Sequence, residues 1–311
     1  MKILITGADG YIGSTLATYF KLKGYAVIGT VFEREPEENE YFCNISKPSS
    51  IATLPTGPYD MIIHTAGIVD YSAGFAAMKA VNTKGARNMA RWATQTGCAH
   101  FIHISSVSVY GFLTLGQQRT ENYAWKLWQY VGNSYMRSKA AAEEAVRQEN
   151  KAYTMLRLPA VIGAGDTFTS PNIFHKLQSG EFFFCGKGNK TVSLMSVKNL
   201  GFIIESLFRM GPENNTYNCC DYHVAWRELV SEFAFRMGIE VPARKKAFLK
   251  VLSHLNDEGT QMLFTYSCFG SHFPDERLWD RIGDVRQYHW KETVREAVEA
   301  LLKKEGRLSP P

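Results

Sequence analysis

No apolar run in this sequence reaches the ~18 residues that a membrane-spanning helix needs. No basic segment followed by an apolar stretch stands ahead of the first periodic element, so neither a membrane span nor a leader is expected. Cysteine is sparse as well as scattered. The six residues Cys43, Cys98, Cys185, Cys219, Cys220 and Cys268 form no CxxC pair and have no histidine at metal-ligand spacing, so no metal site is expected. Cys219 and Cys220 are adjacent, which suits a strand better than a disulfide, and the pattern as a whole points to a reducing, cytoplasmic setting. An excess of one charge is also missing. Lys and Arg number 35 against 30 Asp and Glu, a net +5, and runs such as Ala243–Lys246 read as solvated surface. Neither nucleic acid nor an acidic membrane is called for as a partner. Repeats and low-complexity tracts are absent too.

What is present is ordinary globular material: 45% hydrophobic and 21% charged residues in a chain of 311. That length accommodates one large α/β domain, or a main domain with a smaller lobe. The most telling stretch comes early. "ITGADGYIGS", Ile5 to Ser14, places Gly7, Gly10 and Gly13 between a short apolar strand and a stretch of helical periodicity that stops at Gly24. A glycine-rich turn from first strand to first helix is where a dinucleotide pyrophosphate can sit. The first glycine permits the turn, the second lets the backbone approach the phosphates, and the third lets helix pack on strand. The helix N-terminus adds free N–H groups and the positive end of a dipole.

Further strands are expected at Ala26–Phe32, Tyr59–Gly67, Ala99–Gly111 and Ala152–Gly163, with helices at Phe75–Gly97 and Tyr135–Asn150. Strand and helix alternating at this spacing imply an α/β fold with a doubly wound parallel sheet. From about Ala164 the alternation gives way to Gly-, Phe- and Asn-rich segments. The expected division is residues 1–165 for the dinucleotide-binding domain and 166–311 for a smaller C-terminal lobe that binds substrate, with segments such as Val197–Met210 returning to the main domain.

Two patterns could carry chemistry. "YMRSK" puts Tyr135 and Lys139 a turn apart on one helix face. A tyrosine is a weak base at neutral pH, but a nearby ammonium and an oxidised nicotinamide favour its phenolate, which can then exchange a proton with a hydroxyl or carbonyl. "HISSVSVYG" ends a strand, on the side of a parallel sheet that borders the ligand crevice. A serine there can hold a substrate oxygen; equally, Ser105 and Ser106 suit a turn. His64 and His103, inside or at the end of buried strands, read as satisfied core groups.

These pieces occur in the order found in one family. The chain resembles the extended short-chain dehydrogenase/reductase superfamily, its NAD(P)-dependent epimerase/dehydratase and dihydroflavonol-reductase-like branches in particular. The motifs are Thr6–Gly13 (TGxxGxxG), His64–Gly67 (HxAG), Val81–Asn88 (VNxxGxxN), Ser105–Gly111 (SSxxVYG), Tyr135–Lys139 (YxxSK) and Leu156–Asp166. The resemblance implies a Rossmann-like fold and a catalytic set of Ser106, Tyr135 and Lys139. Tyr135 is the implied acid/base, Ser106 orients the reacting oxygen, and Lys139 holds the nicotinamide ribose while lowering the tyrosine pKa. Cofactor contacts are implied at Gly7, Gly10, Tyr11, Ile12, Gly13, Arg34, Asn44, Ala66, Asn82, Tyr135 and Lys139. The cofactor is NADP or NAD, the partner a small-molecule substrate, and a homodimer the assembly to look for.

Three departures qualify the pattern. Val31 stands where many NAD-using members carry a ribose-binding acid; Arg34 could reach a 2′-phosphate and Glu33 a ribose hydroxyl, which tilts the expectation towards NADP. Asn44 replaces the aspartate that reads adenine. Ala160 and the region of Val192 lack the polar anchors that nucleotide-sugar enzymes turn on a diphosphate, whose burial without partners is costly. Between the serine and the tyrosine lie Phe112, Tyr123, Trp125, Trp128 and Tyr130, suited either to a substrate pocket or to plain packing. The expected activity is hydride transfer between a nicotinamide cofactor and a carbonyl/alcohol pair. A nucleotide-sugar epimerase or dehydratase, or a non-catalytic dinucleotide sensor, are the alternatives.

Overall fold

The computed structural model describes residues 1–69, 73–111, 119–122, 133–242, 245–246 and 265–307. Its elements run in chain order as β1 (Lys2–Thr6), α1 (Tyr11–Leu22), β2 (Ala26–Val31), β3 (Glu40–Phe42), α2 (Pro48–Ile51), β4 (Met61–His64), α3 (Gly74–Met78), α4 (Ala86–Gln95) and β5 (Phe101–Ser106). There follow α5 (Ser134–Glu149), β6 (Tyr153–Leu158), β7 (Ala160–Ile162), α6 (Thr169–Gln178), β8 (Phe184–Cys185), β9 (Thr191–Ser196), α7 (Val197–Met210), β10 (Asn215–Asn218), β11 (Tyr222–Ala225), α8 (Trp226–Met237) and β12 (Lys245–Lys246). Helices Glu276–Ile282 and Trp290–Lys304 complete the described chain.

The chain divides into two compact units. The first comprises Met1–Pro159, Leu200–Cys219 and Pro274–Val285. Its sheet has seven strands in the order β10-β6-β5-β4-β1-β2-β3, every pair parallel. The order reverses between β1 and β4, and ligands of such sheets bind outside the carboxyl ends of the strands at that reversal. The central strands are apolar throughout: Ile3, Leu4, Ile5, Met61, Ile62 and Ile63 are fully buried, as a sheet covered on both faces demands. Helix α1 buries Gly13, Leu16 and Phe20, one stripe at helical spacing, and stops where Gly24 takes φ +80°. Helix α5 starts at Asn133, whose side chain accepts a bond from the Met136 N–H at 2.8 Å. A second core, of Leu4, Trp92, Phe101, Met155 and their neighbours, fills the α4–α5 side.

Four details differ from the sequence reading. Residues Val107–Tyr110 form a 3-10 turn rather than the end of a strand, because the Ser106 Oγ accepts the Ser108 N–H at 3.1 Å and bends the backbone out of β5. Pro159 cannot donate to a ladder, and β7 beyond it joins a different sheet. The helix expected over Phe75–Gly97 is interrupted by a π-helical turn, Lys79–Gly85. Cys219 and Cys220 lie just after β10 instead of within it; Cys219 N–H still bonds to the Arg157 carbonyl at 3.0 Å.

The second unit, Ala160–Asn199, Cys220–Phe273 and Arg286–Pro311, holds a three-stranded sheet in the order β11-β9-β7 and the parallel pair β12-β8. Its core gathers Phe174, Phe182, Phe184, Val192, Trp226, Phe233, Trp290 and Val294. Cys43, Cys98, Cys219 and Cys220 are buried thiols, but Cys268 is disulfide-bonded, which the scattered spacing did not suggest. No helix among the described residues is long and apolar enough to cross a membrane.

Candidate active site

The turn after β1 is shaped by its own packing. Gly7 adopts φ +69°, and a β-carbon there would stand 2.9 Å from Ala66 Cα. A β-carbon on Gly13 would stand 2.0 Å from the Gly7 carbonyl oxygen, a collision with backbone. Gly10 is different: its β-carbon would meet only that same oxygen, at 3.3 Å. Two glycines are thus required by the protein itself, and the third leaves open the face that a phosphate would approach. Gly10 caps α1 without a side-chain bond to the helix N–H groups, and no acid occupies the first turn. Those donors and the dipole suit an anion. Tyr11 and Ile12 form that first turn, half-buried, and the Ala66 N–H reaches Thr6 Oγ1 at 3.3 Å from the end of β4. These residues fit a dinucleotide pyrophosphate.

The loop after β2 is organised by a residue that the sequence reading passed over. Asp9, inside the glycine turn, accepts the Phe32 N–H at 2.7 Å and the Glu33 N–H at 2.9 Å through one oxygen. Arg34 is clamped by Glu40, Nη1 at 2.6 Å and Nη2 at 2.8 Å on the two carboxylate oxygens. Asn44 Oδ1 accepts both the N–H and the hydroxyl of Ser46. Arg34 and Asn44 are therefore engaged with their own neighbours, while the glycines and Ala66 converge at the end of β1.

Ser106, Tyr135 and Lys139 come together at the end of β5. The Ser106 hydroxyl favours the charged form of the Tyr135 phenol. Burial pushes the tyrosine pKa up, and Ser106 opposes the rise. The expected depression by Lys139 does not appear: Lys139 Nζ donates to the Ile104 carbonyl at 2.8 Å, and burial pushes its own pKa down to about 8 against the pull of Glu143. Asn82, in the π-helical turn, clasps the backbone of Ile68. Its Oδ1 accepts the Ile68 N–H at 2.7 Å, and its Nδ2 donates to the Ile68 carbonyl and to Ser138 Oγ, both at 2.9 Å. Ser138 is the residue before Lys139, so this clasp steadies the helix that carries the tyrosine.

The histidines are not the satisfied core groups that were expected. His64 Nδ1 bonds to Thr6 Oγ1 at 2.7 Å, but its Nε2, and both ring nitrogens of His103, are buried with no hydrogen-bond partner among the described residues. Their rings stack 5.4 Å apart, and burial pushes the pKa of His64 down to about 3 and that of His103 well below its usual value. Both are held neutral. The aromatics Phe112, Tyr123, Trp125, Trp128 and Tyr130 lie outside the described residues.

Residues 3–220 match the model of the NAD dependent epimerase/dehydratase family. This chain belongs to that family. Among curated proteins it is similar to the 3-beta-hydroxysteroid dehydrogenase of Mycolicibacterium neoaurum, 25% identical over 65% of this chain and 60% of that one. It is also similar to the UDP-glucose 4-epimerase of Vibrio cholerae, 24% identical over 94% of this chain and 89% of that one. Thus the chain spans less than two thirds of the steroid enzyme's length. Among solved structures, the Bordetella bronchiseptica enzyme WbmH, in complex with NAD+, superimposes with a TM-score of 0.77 at 20% identity, covering 98% of this chain and 99% of that one. At that identity the likeness speaks for the fold alone.

Proposed function

We propose that this member of the family is an oxidoreductase that exchanges a hydride between a nicotinamide cofactor and a carbonyl/alcohol substrate. The observation that carries the reading is that the Ser106 hydroxyl at the end of β5 acts on the buried Tyr135 phenol, with Lys139 one turn along the same helix and bonded to the Ile104 carbonyl of β5. When bound, NAD or NADP supplies or accepts the hydride. In the reducing direction the Tyr135 hydroxyl gives its proton to the substrate oxygen, and the Ser106 hydroxyl holds that oxygen in line. Lys139, one turn along the same helix, is placed to hold the nicotinamide ribose. A raised tyrosine pKa keeps the proton in place until the reacting oxygen demands it.

A less charged substrate is favoured by the second unit, where Val192 is fully buried core rather than a polar anchor. The similarity to a steroid dehydrogenase runs the same way. A second reading, a nucleotide-sugar epimerase or dehydratase, is favoured by the match to the Vibrio cholerae epimerase along nearly the whole chain. A cytoplasmic setting and a homodimer belong to the proposal and are checked by fractionation and sedimentation.

A panel of aldehydes, ketones, alcohols and sugar nucleotides, each with NADH or NADPH and their oxidised forms, separates the readings. On the substrate so found, Tyr135→Phe should bind cofactor normally and turn over at least about a hundredfold more slowly, the scale of a lost general acid. Near-normal turnover in that variant overturns the mechanism.

A further inference from the structure

Glu143 lies four residues beyond Lys139 on α5 and is fully buried. Its Oε1 accepts the Ser105 hydroxyl at 2.6 Å and Arg157 Nε at 2.9 Å. Its Oε2 accepts Arg157 Nη2 at 2.8 Å and Arg147 Nη2 at 2.9 Å. Arg157, itself 1% exposed, passes the network on: Nη1 donates to the Tyr110 hydroxyl at 2.9 Å, which in turn bonds to Asn218 Oδ1 at 2.7 Å. One carboxylate therefore joins α5 to β5, β6, the 3-10 turn and β10.

Stability alone is a weak reason for such an arrangement. Two charges taken out of water lose hydration that their attraction barely returns, and apolar residues of the same shape often serve as well. The position is more informative. Residues on the same helix four apart share a face, and both side chains reach adjacent residues of β5, Lys139 the Ile104 carbonyl and Glu143 the Ser105 hydroxyl. Among the described residues, the other groups facing Lys139 bring no negative charge to it. The Ile104 carbonyl accepts a hydrogen bond from it, and His64 and His103, from β4 and β5, are neutral imidazoles whose protonation its charge opposes. Burial alone would drive the amine towards its neutral form, and Glu143 is the group that pushes back.

We propose that Glu143 is a positioning residue, locked in its ionised form by Arg157, Arg147 and Ser105, and that it keeps Lys139 in its ammonium form at neutral pH. The assignment rests on the role given to Lys139 above. Burial acts to protonate Glu143 too, but the bonds from Arg157 and Ser105 and the charge of Arg147 outweigh it and hold the carboxyl below its usual range. With its midpoint at about 8, Lys139 is about nine-tenths charged at pH 7; a midpoint lower by about one unit would leave it half neutral at that pH.

The test reads Lys139 directly, in the full chain without substrate or cofactor. Lysine is labelled with carbon-13 at Cε, the Lys139 resonance is assigned by its loss in Lys139→Met, and its chemical shift is followed with pH. The midpoint should fall from about 8 to about 7 or lower in Glu143→Gln. It should return close to the wild-type value in Glu143→Asp, which keeps the charge, and stay there in Ser105→Ala, which does not alter it. Should Glu143→Gln fail to fold because Arg157 is left unpaired, the double variant Glu143→Gln, Arg157→Gln takes its place, again with a lowered midpoint expected. An unchanged midpoint in either folded variant overturns the proposal. The functional reading fails on different grounds, normal turnover in Tyr135→Phe, so the two failures are distinguishable.

Discussion

Bringing the protein from about pH 8 to about pH 4.5 asks it to charge imidazoles that the fold keeps dry. His100 gives the cleanest case. Its Nε2 bonds to Thr154 Oγ1 at 2.8 Å, its Nδ1 is buried without a partner among the described residues, and its ring stacks on Phe208. Burial pushes its pKa from 6.5 down to about 4. The unfolded chain therefore takes up a proton below pH 6.5 that the folded chain refuses until about pH 4. The contribution is whole above 6.5 and is lost as pH falls through that window. At about 1.4 kcal/mol per pH unit, the full loss is about 3 kcal/mol, a large part of a typical folding free energy. His64 acts in the same direction. Asp221 acts against it. Burial raises that carboxyl to about 7, so between 7 and 3.8 the folded state holds a proton the unfolded state has released, and acid stabilises it. The wild-type slope is thus a difference of opposed contributions. The informative quantity is its comparison with His100→Gln, whose amide can keep the bond to Thr154 without titrating. Urea unfolding at a series of pH values should show the wild type losing about 2–3 kcal/mol more than this variant by about pH 4.5. Parallel curves would refute the reasoning.

Gly13→Ala forces a β-carbon to 2.0 Å from the Gly7 carbonyl oxygen and should cost about 1–3 kcal/mol or more, seen as a lowered melting temperature. Gly10→Ala should melt close to the wild type but lose the rise in melting temperature that NAD or NADP produces; the same behaviour in both variants would contradict the division of labour between these glycines. Glu40→Gln loosens the clamp on Arg34 and should shift binding towards NADPH relative to NADH, measured by parallel titration of cofactor fluorescence. An unchanged ratio would mean that Arg34 does not reach the 2′-phosphate.

The parts of this architecture that could be read from residues are those where a single segment carries its own signal. β1 and β4 each carry three apolar residues in a row, and the glycine turn declares itself by spacing. The short strands β3 and β10 have no such signal, because three or four residues are too few to show a period. "VSVY" alternates like a strand, yet the hydroxyl of Ser106 captures its backbone first. The fate of Arg34 depends on β3 lying parallel to β2 with Gly29 opposite Glu40, a register that no local pattern encodes. Likewise His64 and His103 meet because β4 and β5 pair in register at those two residues, and Glu143 finds Arg157 only once α5 is laid against β6. What a sequence hides here is pairing between segments.

The π-helical turn at Lys79–Gly85 bears on how this protein can change over generations. Such a turn is an α-helix holding one residue more than its hydrogen bonds can pass over regularly. Removing one residue from it would let the helix close as α and rotate everything on its N-terminal side by about 100°. Asn82 would then lose its hold on Ile68 and Ser138, and Thr83 its bond to the Ser138 carbonyl, although every side chain involved was still present. Divergence in this helix can therefore proceed by exchange of residues but not by gain or loss of one.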